Sequence, residues 1–155
     1  MRTWGRRGQT PVLQETFNGQ SLSLIAGISL WNFYFRSHAG SIKSPQVVAF
    51  LEALLRHMRG KRLVVWAGAP IHRSRLVGGF IAQHTGCLQG ERLPAYAPEL
   101  NPAEYLWAHL KEHELGNLIV RKAHELSGHA TRALRNMRRR PSIIRACWKQ
   151  AELWP

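Results

Sequence analysis

The spacing of apolar positions along the chain changes several times, and each change marks an element. Ser21 to Ser29 reads SLSLIAGIS and Phe33 to His38 reads FYFRSH, both rich in residues that suit a pleated surface. Asn18-Gly19 before the first run is a turn signal, Trp31-Asn32 is a tight connection, and Gly40 closes the second run. Together they predict an antiparallel hairpin. Ser44 then reads as a helix cap with Pro45 at the first helical position. Behind it Val47, Phe50, Leu51, Leu54, Leu55 and Met58 recur at helical spacing, leaving Glu52, Arg56, His57 and Arg59 outside. This helix runs to Gly60, and its apolar side anchors it to a sheet. Lys61 to Trp66, KRLVVW, predicts a short strand of the fully buried kind.

The second half continues the alternation and then turns helical. Ile71 to about His84 reads as a helix, and after Gly86 and Gly90 the stretch Glu91 to Tyr96 reads as one more strand. Asn101 followed by Pro102 caps a further helix, on which Tyr105, Leu106, Trp107 and Leu110 are apolar and Glu104, Ala108 and Lys111 share a face. Glu104 falls in the first turn, beside the positive end of the helix dipole. Leu118 to about Met137 and Ser142 to about Leu153 predict two closing helices. The order of elements predicts an α/β domain, a mixed sheet flanked by helices, with a helical C-terminal extension over residues 117–155 packed on the body formed by residues 1–116.

Composition adds a partner class. The 155 residues carry 22 Lys and Arg against 9 acidic side chains, a formal charge of +13 that favours a polyanion such as DNA or RNA. Arg2, Arg6 and Arg7 form a basic N-terminal arm within Met1 to Pro11, and Arg73, Lys111, Lys122 and the run Arg138-Arg139-Arg140 are candidate phosphate contacts. A charge run of that kind is usually a solvated helix end, and here it adds to the field that draws in a polyanion. Every acidic residue is Glu, with no Asp anywhere. Cys87 and Cys147 are too few and too far apart for a disulfide scaffold or a zinc knuckle. With no signal-peptide core and no apolar run of membrane-spanning length, the expectation is a cytoplasmic protein without a membrane partner.

Two stretches carry the chemistry: VVWAGAPIHRSR, Val64 to Arg75, and LPAYAPELNPAEYLWAHLK, Leu93 to Lys111. In their order, and with GRRGQTPVL and SPQVVAFLEALL around them, the chain resembles the DDE-type transposases of bacterial insertion sequences related to the mariner superfamily. The resemblance implies an RNase H-like domain in which three acidic residues hold two Mg²⁺ (or Mn²⁺) ions for strand cleavage and transfer on double-stranded DNA at transposon ends. Two hard cations held close together repel each other, so they need several anionic oxygen ligands.

Carried over by position, Glu104 is the third acid and metal ligand. Ala67 stands where the second Asp belongs, after Trp66 and before Gly68. The first Asp belongs to a central strand expected just upstream of RTWGRRGQTP, so the resemblance implies a sheet without that strand. Glu15 and Glu91, the other acids near predicted strands, match no part of the motif. Such a chain is expected to be catalytically inactive. It is also expected to be marginally stable, or to close the gap by altered strand pairing or self-association into a homo-oligomer.

Two further readings stand beside it. A non-catalytic DNA-binding or interaction protein derived from a transposase would keep the basic surface without the cleavage chemistry. A zinc metallopeptidase is suggested by His109, Glu112 and His113, an H-x-x-E-H pattern whose histidines share a helix face, with Glu125 or Glu152 as the distal ligand. His72 is read as either a substrate-facing side chain or a structural hydrogen-bonding one.

Overall fold

The computed structural model describes residues 22–94, 97–116 and 123–154. The basic arm, Glu15, Lys122 and the first residues of the Leu118 helix lie outside these ranges. Strands β1 (Leu22–Ile28) and β2 (Phe33–Ala39) pair antiparallel, with Leu22 opposite Ala39 and Ile28 opposite Phe33. Their tight turn is closed by side chains. Ser29 Oγ donates to Asn32 O at 2.9 Å, and Asn32 Oδ1 accepts from Phe33 N at 2.8 Å. Gly40, with φ at 79°, supplies the left-handed step that takes the chain out of β2.

Helix α1 (Ser44–His57) begins at the residue expected to cap it, so the cap is Lys43, one residue earlier. The amides of Gln46 and Val47 donate to Lys43 O at 3.1 and 3.2 Å, so Lys43 supplies the first helical carbonyl. Gln46 Oε1 accepts from Lys43 N at 3.0 Å. A backbone carbonyl and a glutamine side chain thus do what the Ser44 hydroxyl was expected to do.

Strand β3 (Arg62–Trp66) pairs parallel with β4 (Leu88–Arg92), in the register Arg62 to Leu88 through Trp66 to Arg92. β4 therefore lies three residues earlier than the expected Glu91–Tyr96. Its anchor is Leu88, buried against α1 and the helix that precedes it. Gly90 is a point of close approach inside the strand, not a break before it: a β-carbon there would sit 2.9 Å from Ile81 Cδ1 and 3.2 Å from Trp66 Cζ2. The expected helix from Ile71 to His84 is divided. Pro70–Arg73 forms a 3₁₀ turn, and α2 (Arg75–Gln83) starts afresh at Ser74, whose Oγ accepts from Val77 N at 3.3 Å.

After the 3₁₀ turn Pro98–Leu100 comes α3 (Pro102–His109), capped by Asn101 as the sequence predicts, and it continues into a π-turn at Leu110–Glu114. Helices α4 (Ala123–Arg138) and α5 (Pro141–Gln150) close the chain. They belong to the main core. Phe33, Leu106, Leu110, Leu134, Met137, Ile144 and Cys147 are buried together, with Leu24, Ala26, Ile28 and Phe35 packed against them. Trp148 Nε1 donates to Ser29 O at 2.9 Å and pins α5 to the hairpin turn.

A second core gathers Val47, Leu51, Val77 and Leu88, and both Ile25 of β1 and Val64 and Trp66 of β3 pack against it. α1 is therefore the shared support of both strand pairs. The pairs themselves stay separate, as two sheets of two strands, and no described strand joins β1 to β3. On β3 the residues that alternate with Val64 and Trp66 are left uncovered: Leu63 is 60% exposed and Val65 49%.

Leu134→Ala should lower unfolding stability by roughly 2–5 kcal/mol, because its side chain is fully buried. Leu63→Ala should cost under about 1 kcal/mol. Urea melts of the two variants compare the sites directly, and equal losses would contradict the described burial.

Candidate functional site

The end of β3 and the start of α3 carry the residues expected to act. Leu93 N donates to Trp66 O at 3.0 Å, which extends the β3–β4 ladder to its last residue, and Ala67 follows it exposed to solvent. Ala69 N turns back to Ala67 O at 2.9 Å. Trp66 and His72 stack with centroids 4.8 Å apart and planes 14° apart. His72 Nδ1 is buried without a hydrogen-bond partner, and burial lowers the pKa of the ring. The histidine after the strand is thus held as a neutral stacking partner of the tryptophan.

On α3, Asn101 Oδ1 accepts from Ala103 N at 3.1 Å, while its amide nitrogen reaches Glu104 Oε1 at 3.5 Å, long for a hydrogen bond. Glu104 is exposed in the first turn. The two key positions therefore offer a methyl group on one element and one solvated carboxylate on the other. Neither can polarise a phosphodiester by itself.

Further along, Leu115 N donates to Leu110 O at 2.9 Å, the widened step of a π-turn. At its end Glu114 is ion-paired with Arg140, and its Oε1 lies 3.8 Å from His109 Nε2. The His109 and His113 rings are neighbours, 4.8 Å apart. The pKa of His109 is lowered first by burial, then by His113 and Arg140, against the opposing pull of Glu114. Glu112 faces solvent. The carboxylate that engages His109 is thus Glu114, outside the H-x-x-E-H pattern, and it is already occupied by an arginine. Among the described residues no three His, Cys, Asp or Glu side chains converge on a point that could hold a metal ion.

The basic residues separate. Arg73 and Lys111 are exposed on different elements, and the run Arg138-Arg139-Arg140 fans out at the end of α4. Arg140 goes to Glu114, Arg139 faces solvent, and Arg138 lines a cleft shared with Arg135 of α4 and with Arg36 and His38 of β2. Arg36 and Arg135 were not singled out from the sequence. The available signal was the spacing of Thr131, Arg135 and Arg138, which sets all three on one helical face.

The family profile described as DDE superfamily endonuclease matches residues 1–127. The chain belongs to this family. Its fold is similar to that of solved mariner transposases. The Mos1 mariner paired end complex with Mn aligns at a TM-score of 0.69 and 18% identity, over 99% of this chain and 48% of that one. The Mos1 strand transfer complex aligns at 0.66 and 18%, over 99% and 47%. The Mos1 catalytic domain with Raltegravir and Mg aligns at 0.57 and 17%, over 90% and 80%. The chain thus spans about half the length of the first two. No curated protein matches its sequence. The mixed α/β architecture is RNase H-like, and no helix among the described residues is long and apolar enough to cross a membrane.

The residues at Ala67 and Glu104 do not fit the metal pair that such a fold implies. An alanine follows the end of β3, and among the described residues Glu104 has no second carboxylate beside it to help offset two divalent charges.

His72 and His109 both have pKa values lowered below the ordinary 6.5, so the unfolded chain binds protons that the folded one resists. Their contribution to stability is present above the unfolded value and is lost as pH falls through the folded values. Urea midpoints should therefore drop as pH is lowered below about 6.5. His72→Phe keeps a ring against Trp66 and should remove part of that drop; an unchanged pH profile would count against the burial of His72.

Proposed function

We propose that this chain is a transposase-derived DNA-binding domain that does not cleave or join DNA strands by itself. Ala67 carries the reading. It occupies the end of β3, where chain leaving a sheet of this kind supplies ligands and catalytic groups, and its methyl can neither bind a cation nor move a proton. Any carboxylate added elsewhere would still leave that position empty of chemistry. Glu104, Mg²⁺ or Mn²⁺ and strand transfer belong to the activity this family fold supports when its acids are complete. Here Glu104 is a solvated first-turn glutamate.

DNA remains the fitting partner. A formal charge of +13 with no Asp gives a long-range attraction for a polyanion, and an exposed basic surface survives folding because, among the described residues, Glu114 pairs with only one arginine. The bare Leu63 and Val65 face, on a strand pair that no other described strand joins, supports self-association as part of the same reading.

Purified protein should bind labelled duplex DNA with an affinity that falls steeply with salt, and should leave the duplex uncut in Mg²⁺ or Mn²⁺. Glu104→Gln should bind as the parent does. Metal-dependent nicking that is lost in Glu104→Gln would overturn the proposal. In sedimentation velocity the parent should self-associate and Leu63→Lys/Val65→Lys should not; two identical monomer profiles would remove the oligomer from the reading.

A further inference from the structure

Between β2 and α4 lies an open cleft of about 540 Å³, on different elements from Ala67 and Glu104. Its helical wall is the stripe Thr131, Arg135 and Arg138, and its strand wall is Arg36, Ser37 and His38. The walls present two guanidinium groups, those of Arg135 and Arg138, and two hydroxyls, those of Thr131 and Ser37. Among the described residues no carboxylate lies within ion-pairing distance of any of these arginines, so their charge is uncompensated within the described protein. His38 Nε2 is buried and has no hydrogen-bond partner. Among the described residues β2 pairs only with β1, so alternate backbone N–H groups on its other edge lack a described strand partner.

We infer that this cleft is a binding groove for the phosphate backbone of duplex DNA. A concave wall of arginine, hydroxyl and backbone N–H donors with no carboxylate calls for an anionic ligand rich in acceptor oxygens, and arginine forks match phosphate oxygens two at a time. The groove is open to solvent and larger than a single small anion requires, which suits a strand of phosphates. Contacts to phosphate oxygens carry no base identity, so the groove positions DNA without reading its sequence. Arg36 turns its guanidinium to α1, Nη1 donating to Ala49 O at 3.4 Å, whereas Arg135 and Arg138 are exposed and able to follow the strand.

The inference rests on the proposed DNA-binding function and is tested by fluorescence anisotropy with two labelled duplexes of unrelated sequence over a salt series. Arg135→Gln/Arg138→Gln should weaken binding to both duplexes by roughly tenfold or more, and should lower the slope of log K against log salt by about 2, since each phosphate contact contributes about 0.9. Arg135→Lys/Arg138→Lys should keep most of the slope. The matched control is Arg145→Gln/Lys149→Gln, which removes the same charge from exposed positions on α5. An equal effect from the control would mean that overall charge, not the cleft, holds the DNA. Undiminished binding by Arg135→Gln/Arg138→Gln would overturn the cleft and leave DNA binding standing, and absence of binding by the parent would overturn both. Far-UV circular dichroism melts confirm that the compared variants are folded.

Discussion

The apolar face of α1 is the constraint on which the rest of the fold depends. Val47 and Leu51 are almost fully buried, and the strand pairs on either side of them share no described hydrogen-bonded ladder. Among the described residues, what joins β1–β2 to β3–β4 is side-chain burial, with Ile25, Val64 and Trp66 converging on the same helix. Burial is non-directional, so it can join two strand pairs without a shared ladder. The opposite face of the hairpin is covered separately by α3, α4 and α5. The same helices do not cover Leu63 and Val65, which is why one fold contains both a dense core and a bare sheet face.

The electrostatics follow a similar division of labour. Glu114 is the one carboxylate among the described residues with cationic partners, and it draws Arg140 and His109 toward the π-turn at the end of α3. That leaves Arg135 and Arg138 exposed together on α4. The chemistry expected at Ala67 and Glu104 is diluted by contrast: a methyl, a solvated carboxylate, and a neutral histidine stacked on Trp66. Sharing a fold with strand-transferring enzymes fixes the backbone frame without fixing the groups that do the chemistry.

Signals confined to neighbouring residues were legible in the sequence. The Asn101-Pro102 start of α3, the hairpin with its Trp31-Asn32 turn, and the periodic face of α1 all rest on contacts within a few positions. Signals that depend on what packs from elsewhere were not. Gly90 looks like a strand breaker until Ile81 and Trp66 are seen against it, and β4 was accordingly placed too late. Ser74 looks like one polar residue in a helix until its hydroxyl caps Val77. At the site level Arg138 was visible as part of a charge run, but its cleft partner Arg36 is about a hundred residues away in sequence and was not. The family resemblance was legible because it rides on short motifs around Ala67 and Glu104.

The hydrogen bond from Trp148 to Ser29 spans 119 positions. Phe33, close by in the hairpin, is buried among residues of α3, α4 and α5. The hairpin can form its ladder early, since its pairing is local, but it acquires the cover of its apolar face only after α5 has been made. A ribosome-bound chain halted before Pro141 would carry Leu24, Ile28 and Phe35 without their full packing. Until α5 docks, the apolar face of β1–β2 stays partly uncovered, the kind of surface on which a growing chain associates off its folding path.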